Sequence, residues 1–164
     1  MPESVAPPPV LDAARVLAYL IVPDSFAYVG ASTLFVDGKA LGRVPRLAVC
    51  QNLCADNDFL LFHCDSEWNV LGAGGATSAT EARAQALRNY PGLEHGWVDL
   101  HTSMEDALAF YDQEICDLQC SFCAKRSFQV LGGWARGSNA MICQECVERY
   151  HQAFQQRTGA DQSG

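Results

Sequence analysis

Four cysteines in the last third of the sequence have the spacing of a metal site. Cys120 and Cys123 form one C-x2-C pair, nineteen residues follow, and Cys143 and Cys146 form a second pair. Two residues between thiolates let one tight turn direct both sulfurs at one ion, and a second turn completes a tetrahedron. Four protein ligands leave no position for water or substrate, so the spacing predicts one structural Zn²⁺ ion. The alternatives are an iron–sulfur cluster, a redox dithiol and two unrelated cysteine pairs.

The residues around the two pairs resemble a known zinc finger. The segments Cys120-Ser121-Phe122-Cys123-Ala124-Lys125 and Ile142-Cys143-Gln144-Glu145-Cys146-Val147-Glu148 are similar to the four-cysteine finger at the start of the ClpX unfoldase. The resemblance covers residues 118–150. It implies a treble-clef-like finger that dimerises and binds substrates and adaptor proteins, which that family passes to an ATP-driven ring.

The sequence also departs from that family. Ala124 stands where the family favours glycine, Gln144 stands where it favours aspartate, and Gly132-Gly133-Trp134 interrupts the usual linking segment. No G-x-x-x-x-G-K-[ST] motif occurs, and 164 residues leave no room for the ATPase domain. The resemblance therefore implies metal binding, with dimerisation and binding of unfolded protein as further expectations.

The predicted finger carries more apolar side chains than a module of about 35 residues can bury. Either the rest of the chain covers these side chains, or they form a surface for a partner or a second copy. With Val130, the residues concerned are the candidate partner-binding residues Phe122, Phe128, Leu131 and Trp134.

Cysteine and histidine also occur close together between residues 50 and 64. Cys50, Cys54, His63 and Cys64 could converge across a hairpin. His63 and Cys64 are adjacent on a predicted strand and point to opposite faces, so too few ligands remain for a second metal site or a Cys-His catalytic pair. These cysteines are interpreted as core residues; Cys116 is interpreted as a buried helix-end cysteine, with an auxiliary thiol as the alternative.

The remaining candidates for chemistry are weaker. The glycine-rich residues 72–75 lie where a dinucleotide-binding turn would be, but Thr77 occupies the position of the third glycine. Asp65 and Glu67 resemble a carboxylate pair but fall at a predicted hairpin tip. The histidines without a visible partner are His95, His101 and His151. The sequence therefore predicts no catalytic residue, no nucleotide and no enzyme activity.

The residues before the finger are predicted to form a folded body of strands and helices. Residues 10–20 fit one face of a helix that Pro23 ends. Residues 26–70 then read as short β-rich runs with turns such as Asp37-Gly38, which predicts an antiparallel sheet of about four strands. Capping boxes at Ser78–Glu81 and Thr102–Glu105 open two helices, the second running toward Ile115, with a strand at 97–100 between them. A third helix begins at the second cysteine pair and ends near residue 157, with an apolar stripe of Val147, Tyr150 and Phe154.

Composition and charge limit the class of protein. The chain is 49% hydrophobic and 18% charged, which is typical of a folded domain. Residues 1–9 do not resemble a signal peptide, and the longest apolar run, residues 16–22, is too short to cross a bilayer, so we expect a cytoplasmic protein. Residues 1–115 hold 6 Lys/Arg against 15 Asp/Glu, whereas residues 116–164 hold 5 against 4. This acidic body repels nucleic acid and suits a basic protein partner, or it merely provides solubility.

The sequence therefore predicts an α+β protein with a small antiparallel sheet, flanking helices and a C-terminal finger. We expect a flexible tail at residues 1–9, a body at 10–115, the zinc finger at 116–157 and a flexible tail at 158–164. The predicted function is protein interaction, as an adaptor or regulator that recognises a protein client in proteolysis or in the binding of unfolded chains, with a homodimer formed through the finger. The alternative is an inhibitor of a basic toxin or enzyme, in the manner of bacterial immunity proteins.

Overall fold

The computed structural model of the chain describes residues 6–31, 34–115 and 118–160. Contacts divide the chain into two units, Met1–Tyr111 and Asp112–Gly164. Cys116 lies outside the described residues, as do residues 1–5 and 161–164 of the predicted tails.

The first unit is built around an antiparallel sheet. Its strands in chain order are β1 (Val10–Leu11), β2 (Ala14–Ile21), β3 (Leu34–Val36), β4 (Lys39–Leu41), β5 (Arg46–Asn52), β6 (Phe59–Cys64), β7 (Val70–Ala76) and β8 (Val98–Asp99). The main sheet has the order β1-β2-β5-β6-β7, with β8 also paired to β2, and β3 and β4 form a separate hairpin that turns at Asp37-Gly38 as predicted. The α+β class and the antiparallel sheet are confirmed, although the main sheet has six strands and not about four.

Residues 10–20 form strands, so the predicted helix over this segment is wrong. β1 and β2 form a tight hairpin whose turn residues, Asp12 and Ala13, have positive φ angles of 46° and 39°. The register of β2 against β5 shifts between Val16 and Ala18, and these two residues enter different cores. A strand buried on both faces and bulged in the middle loses simple alternation, and its apolar residues then recur at a spacing that also fits a helix.

The middle strands of the main sheet are buried on both faces. On one face, Leu47, Val49 and Leu61 pack with Ala82 and Ala86 of helix α1 (Ala79–Asn89). The buried residues of the opposite face include Val16, Tyr19, Ala48, Cys50, Phe62, Cys64 and Trp68. Successive side chains of β5 thus enter alternate cores, as the pleat of a strand requires.

Residues 73–76 belong to β7, so the prediction of a glycine-rich turn between a strand and a helix is wrong. β7 pairs with β6 along its length, from Val70 to Ala76. A Cβ at Gly72 would lie 2.6 Å from Leu34 Cδ2 and 3.0 Å from Val36 Cγ2. Glycine is needed at this position because the β3–β4 hairpin packs closely on the strand.

Serines cap both helices of the first unit. Ser78 Oγ accepts a hydrogen bond from Glu81 N at 3.1 Å, as predicted, while the Glu81 carboxylate accepts from Thr77. The helix α2 (Met104–Phe110) is capped by Ser103, whose Oγ accepts from Asp106 N at 3.0 Å. This cap lies one residue beyond the predicted Thr102–Glu105 box, and a π-helical turn follows at Tyr111–Ile115.

The second unit contains a short hairpin and a long helix. A 3-10 turn at Ser127–Gln129 precedes the antiparallel strands β9 (Trp134–Arg136) and β10 (Met141–Cys143). Helix α3 (Gln144–Ala160) follows at once and ends later than the predicted residue 157. Among the described residues of this unit, the buried side chains are Cys120, Val130, Cys143 and Cys146. In the described chain, neither α3 nor any other helix is long and apolar enough to cross a bilayer.

We expect Tyr90→Phe to destabilise the first unit. The Tyr90 hydroxyl accepts from Val44 N at 2.8 Å, and both residues are 1% exposed. Phenylalanine would leave a buried N–H without a partner, at a cost of about 1–3 kcal/mol in the free energy of unfolding, measurable by urea denaturation. The control is Tyr28→Phe, because the half-buried Tyr28 hydroxyl donates to Leu41 O at 3.2 Å and water can replace it. Equal losses in the two variants would contradict this account.

Candidate metal centre

The four cysteine sulfurs of the second unit lie close enough to share one ion. The Sγ atoms of Cys120, Cys123, Cys143 and Cys146 all lie within 4.8 Å of one another. Two opposite pairs, Cys120 with Cys146 and Cys123 with Cys143, have Sγ–Sγ distances of 3.8 Å. Four sulfurs bound to one ion at about 2.3 Å stand about 3.8 Å apart along each edge of a tetrahedron. The donor set therefore fits a single tetrahedral metal ion.

The first cysteine pair lies on a tight turn. Cys120 N donates to Lys125 O and Ala124 N donates to Cys120 O, both at 2.9 Å. Ala124 closes the turn with a φ of 58°, in the left-handed region. Only glycine adopts this region without strain, which gives a physical reason for the glycine that the ClpX family favours here.

The second pair is placed by the hairpin and by the start of α3. Cys143 is the last residue of β10, and Cys146 lies in the first turn of α3. Ser121 N donates to Met141 O at 2.8 Å, and Met141 N donates to Ser121 Oγ at 3.1 Å. These bonds connect the first turn to the hairpin, so that backbone geometry brings the two pairs together.

The environments of the four thiols differ. Burial raises the pKa of Cys120, but backbone groups of Cys143, Phe122 and Cys123 that hydrogen-bond the sulfur outweigh it and lower the pKa to about 6. Burial, together with the neighbouring sulfurs, raises the pKa of Cys146 to about 12. Thiols so close together cannot all ionise without a cation, so a metal that binds all four thiolates must displace protons.

Two basic side chains lie beside the sulfurs. Lys125 forms an ion pair with Glu145. This carboxylate is the main reason that the pKa of Lys125 is raised, and the thiol groups of Cys123 and Cys143 add to the effect. Arg149 Nη2 lies 4.0 Å from Cys146 Sγ. Four thiolates on a divalent ion would carry a net charge of −2, which Arg149 and, beyond its pair with Glu145, Lys125 would offset in part. Sequence reasoning missed both residues, although a basic residue two positions after one cysteine pair and three after the other was a readable signal.

Two of the departures from the ClpX pattern contact each other. Gly133 N donates to Gln144 Oε1 at 3.0 Å, and Gln144 N donates to Gly133 O at the same distance. A Cβ at Gly132 would lie 2.5 Å from Gln144 Oε1, and the φ of Gly132 is 122°. Gln144 and the two glycines therefore form one structural feature, in which two hydrogen bonds join the loop before β9 to the start of α3.

The candidate partner-binding residues differ in exposure. Phe122 is 54% and Leu131 is 91% exposed, whereas Val130 is buried and Phe128 and Trp134 are half-buried. The predicted stripe of α3 is also exposed, and Phe122 packs edge-on against Tyr150 with ring centroids 5.6 Å apart. We call the residues Phe122, Val147, Tyr150 and Phe154 the apolar face.

The structure does not assemble the other sites that the sequence suggested. Cys50 and Cys64 face one core, where burial raises both thiol pKa values, that of Cys64 to about 12. Cys54 is exposed, and His63 points toward the opposite face of the sheet from Cys64. Within the described ranges, the four cysteines of the second unit are the only group of three or more potential metal ligands.

The suggested carboxylate pair has a structural role. Asp65 Oδ1 accepts from Glu67 N at 2.8 Å and from Asn69 N at 3.0 Å. Asn69 Nδ2 also donates to Asp65 Oδ2 at 2.8 Å. This side-chain hydrogen bond is the main reason that the pKa of Asp65 is lowered, and the two backbone hydrogen bonds add to the effect. The carboxylate thus holds the turn between β6 and β7. The histidines that the sequence left without partners, His95, His101 and His151, are exposed.

Comparison with known proteins gives no family for this chain. No family model, no curated protein and no solved structure matches it. The chemical interpretation of the site therefore depends on its own geometry.

We expect Cys143→Ser to abolish stoichiometric metal binding. The variant removes a buried ligand, and serine oxygen is a poor substitute for thiolate, so the metal content by mass spectrometry should fall from one ion per chain to well below one. The matched control is Cys54→Ser, because Cys54 is exposed and lies outside the cluster. The metal content of this variant should stay at one ion per chain. Equal metal content in the two variants would contradict the assignment.

We expect Ala124→Gly to stabilise the second unit. An L-residue in the left-handed region carries about 1–2 kcal/mol of strain, which glycine removes. Glycine also raises the entropy of the unfolded chain, which opposes folding, so the net increase in the free energy of unfolding is about 0.5–1 kcal/mol. Chelator competition and thermal unfolding both measure it. Ala140→Gly is the control, because Ala140 does not have a positive φ and should show the opposite sign.

Proposed function

We propose that the second unit is a structural zinc finger that binds protein, and that the protein acts as an adaptor or regulator that recognises a protein client. The observation that carries this proposal is the exposed apolar face on a unit whose buried side chains are mostly cysteines. Large apolar side chains grouped on a surface are typical of interaction sites.

Zinc is the ion that best suits the donor set. The two Sγ–Sγ distances of 3.8 Å match a single tetrahedral ion, whereas a cluster spreads its cysteine ligands over several iron atoms. The order of the elements, a cysteine turn, a hairpin and then a helix that carries the last ligand, supports a treble-clef-like arrangement. With all four positions taken by protein, zinc would stabilise the fold and have no part in a reaction. This supports a role without catalysis.

The apolar face offers two kinds of contact. Its side chains on α3 are spaced so that Val147, Tyr150 and Phe154 share one side of the helix. Trp134 and Val147 also line a shallow cavity of about 210 Å³, which is large enough for an apolar side chain of a client. The resemblance to the ClpX finger adds a homodimer and the binding of unfolded chains to this proposal, and we assign both to the apolar face.

We expect Phe154→Ser to weaken both associations. Phe154 is 65% exposed in the chain, and the loss of its ring from an interface should reduce affinity at least about tenfold. Self-association is measured by sedimentation equilibrium, and client binding by fluorescence anisotropy with a reduced, alkylated and therefore unfolded protein as the probe.

The matched control is Gln152→Ser, on the opposite side of α3 and exposed. It should leave both associations unchanged. Binding that is absent in the zinc-loaded protein, or that is equal in the two serine variants, would overturn the proposed function.

The inhibitor hypothesis is the weaker of the two. Its support is the negative charge of residues 1–115, which ordinary solubility also explains.

A further inference from the structure

The outer strand β7 leaves one edge of the main sheet without a neighbour. β7 pairs with β6 on one side, and in the described part of the chain no backbone hydrogen bond joins it to any other element. An unpaired strand edge presents a row of N–H and C=O groups with which another extended chain can pair.

The composition of this edge does nothing to prevent such pairing. The register of β7 against β6 is regular from Gly72 to Ala76, and these five residues are all glycine or alanine. Proline and charged residues, which often protect sheet edges, are absent from β7. The opposite edge of the sheet ends in β1 and β8, strands of two residues each, and three consecutive prolines, residues 7–9, precede β1. One edge of the sheet is therefore protected and the other is not.

One glycine of β7 has no explanation within the chain. Gly72 makes room for the β3–β4 hairpin, and a Cβ at Gly74 would lie 3.1 Å from Gln85 Oε1. Gly75 points to the other side of the strand, where its Cβ would have no atom within 4 Å. A glycine inside a strand often marks a place where another backbone approaches closely.

Helix α1 carries opposite charges beside this edge. Glu81 accepts hydrogen bonds from Thr77 N and Oγ1, both at 2.6 Å, and Gln85 Nε2 donates to Gly75 O at 2.7 Å, so this side of α1 lies along β7. Arg88 follows Glu81 by about two helical turns and therefore lies on the same side. It is exposed and forms no ion pair with any described residue. The side of α1 next to β7 is thus negative at one end and positive at the other.

We propose that β7 pairs antiparallel with β7 of a second copy of this chain, about a two-fold axis at Gly74. This register covers the regular part of the strand. It places Gly72 opposite Ala76 of the partner subunit, and Ala73 opposite Gly75 of the partner subunit. Only small side chains meet, so the two backbones can approach without a clash.

The charges on α1 favour a second copy as the occupant of this edge. Gln85 contacts Gly74 and Gly75 and therefore lies near the axis, with Glu81 on one side of it along α1 and Arg88 on the other. The two-fold axis sets the α1 helices antiparallel, with Glu81 of each copy toward Arg88 of the other. This complementarity occurs twice in the dimer. The contact lies in the first unit and is separate from the apolar face, so the two can be tested apart.

The first test is cross-linking of full-length, metal-loaded chains with oxidised glutathione. Ala73→Cys and Gly75→Cys each add a thiol to the open side of β7, in a Cys54→Ser protein that lacks the exposed thiol of Cys54. Side chains directly opposite each other in an antiparallel pair have Cβ atoms about 4.5–5.5 Å apart, and diagonal pairs lie farther apart. We expect a mixture of the two variants to form a disulfide-linked heterodimer at least about tenfold faster than either variant alone forms a homodimer. Equal rates, or no cross-linked dimer, would overturn the proposal.

The second test is sedimentation equilibrium of the full-length Phe154→Ser protein, in which the apolar face is impaired. We expect a monomer–dimer equilibrium up to millimolar concentrations. Arg88→Glu should weaken this dimer at least about tenfold, because the symmetry converts two attractive charge pairs into two repulsive ones. The matched control is Arg136→Glu, the same charge change at an exposed arginine of the second unit, which should leave the dimer unchanged.

Three results of these measurements would contradict the dimer. They are a monomer at every concentration, equal effects of the two glutamate variants, and β7 amides that a rise in protein concentration does not protect from hydrogen exchange. Protection of these amides by a reduced and alkylated client protein alone would assign the edge to a client strand and not to a second copy.

Discussion

The middle strands of the main sheet are buried on both faces, so the rest of the first unit must cover both of them. Leu47 and Val49 of β5 enter the core beneath α1, while Ala48 and Cys50 enter the opposite core. A sheet with two buried faces needs cover on both sides and close fitting at its margins. The bulge in β2 and the contact of the β3–β4 hairpin with Gly72 are local adjustments that make this fit.

The second unit lacks such a core. Its buried side chains in the described residues are three cysteines and Val130, which is too little apolar surface to stabilise about 50 residues. Metal–thiolate bonds can supply the missing free energy, because the unfolded chain has no preformed site. The hydrogen bonds of Gln144 hold the loop before β9 against the start of α3, and Lys125 and Arg149 lie where they would offset the negative charge of four thiolates on an ion.

This difference in how the units are stabilised bears on the proposed roles. A unit that a metal ion stabilised would not need its large apolar side chains inside, and Phe122 and Phe154 are 54% and 65% exposed. The first unit, by contrast, buries its apolar residues in two cores, one on each face of the main sheet.

The sequence by itself determined the features that depend on local spacing. The two C-x2-C pairs indicated four clustered sulfurs, Ser78 marked the start of α1, and Asp37-Gly38 marked a hairpin, because each depends on residues within a few positions of one another. Tertiary structure alone decided the features that depend on distant packing. Residues 14–20 became a strand because β5 lies beside them, and Gly72 lies in a strand because it pairs with His63 of β6. The pairing of Gln144 with the Gly132-Gly133 loop likewise joins residues whose proximity no local pattern encodes.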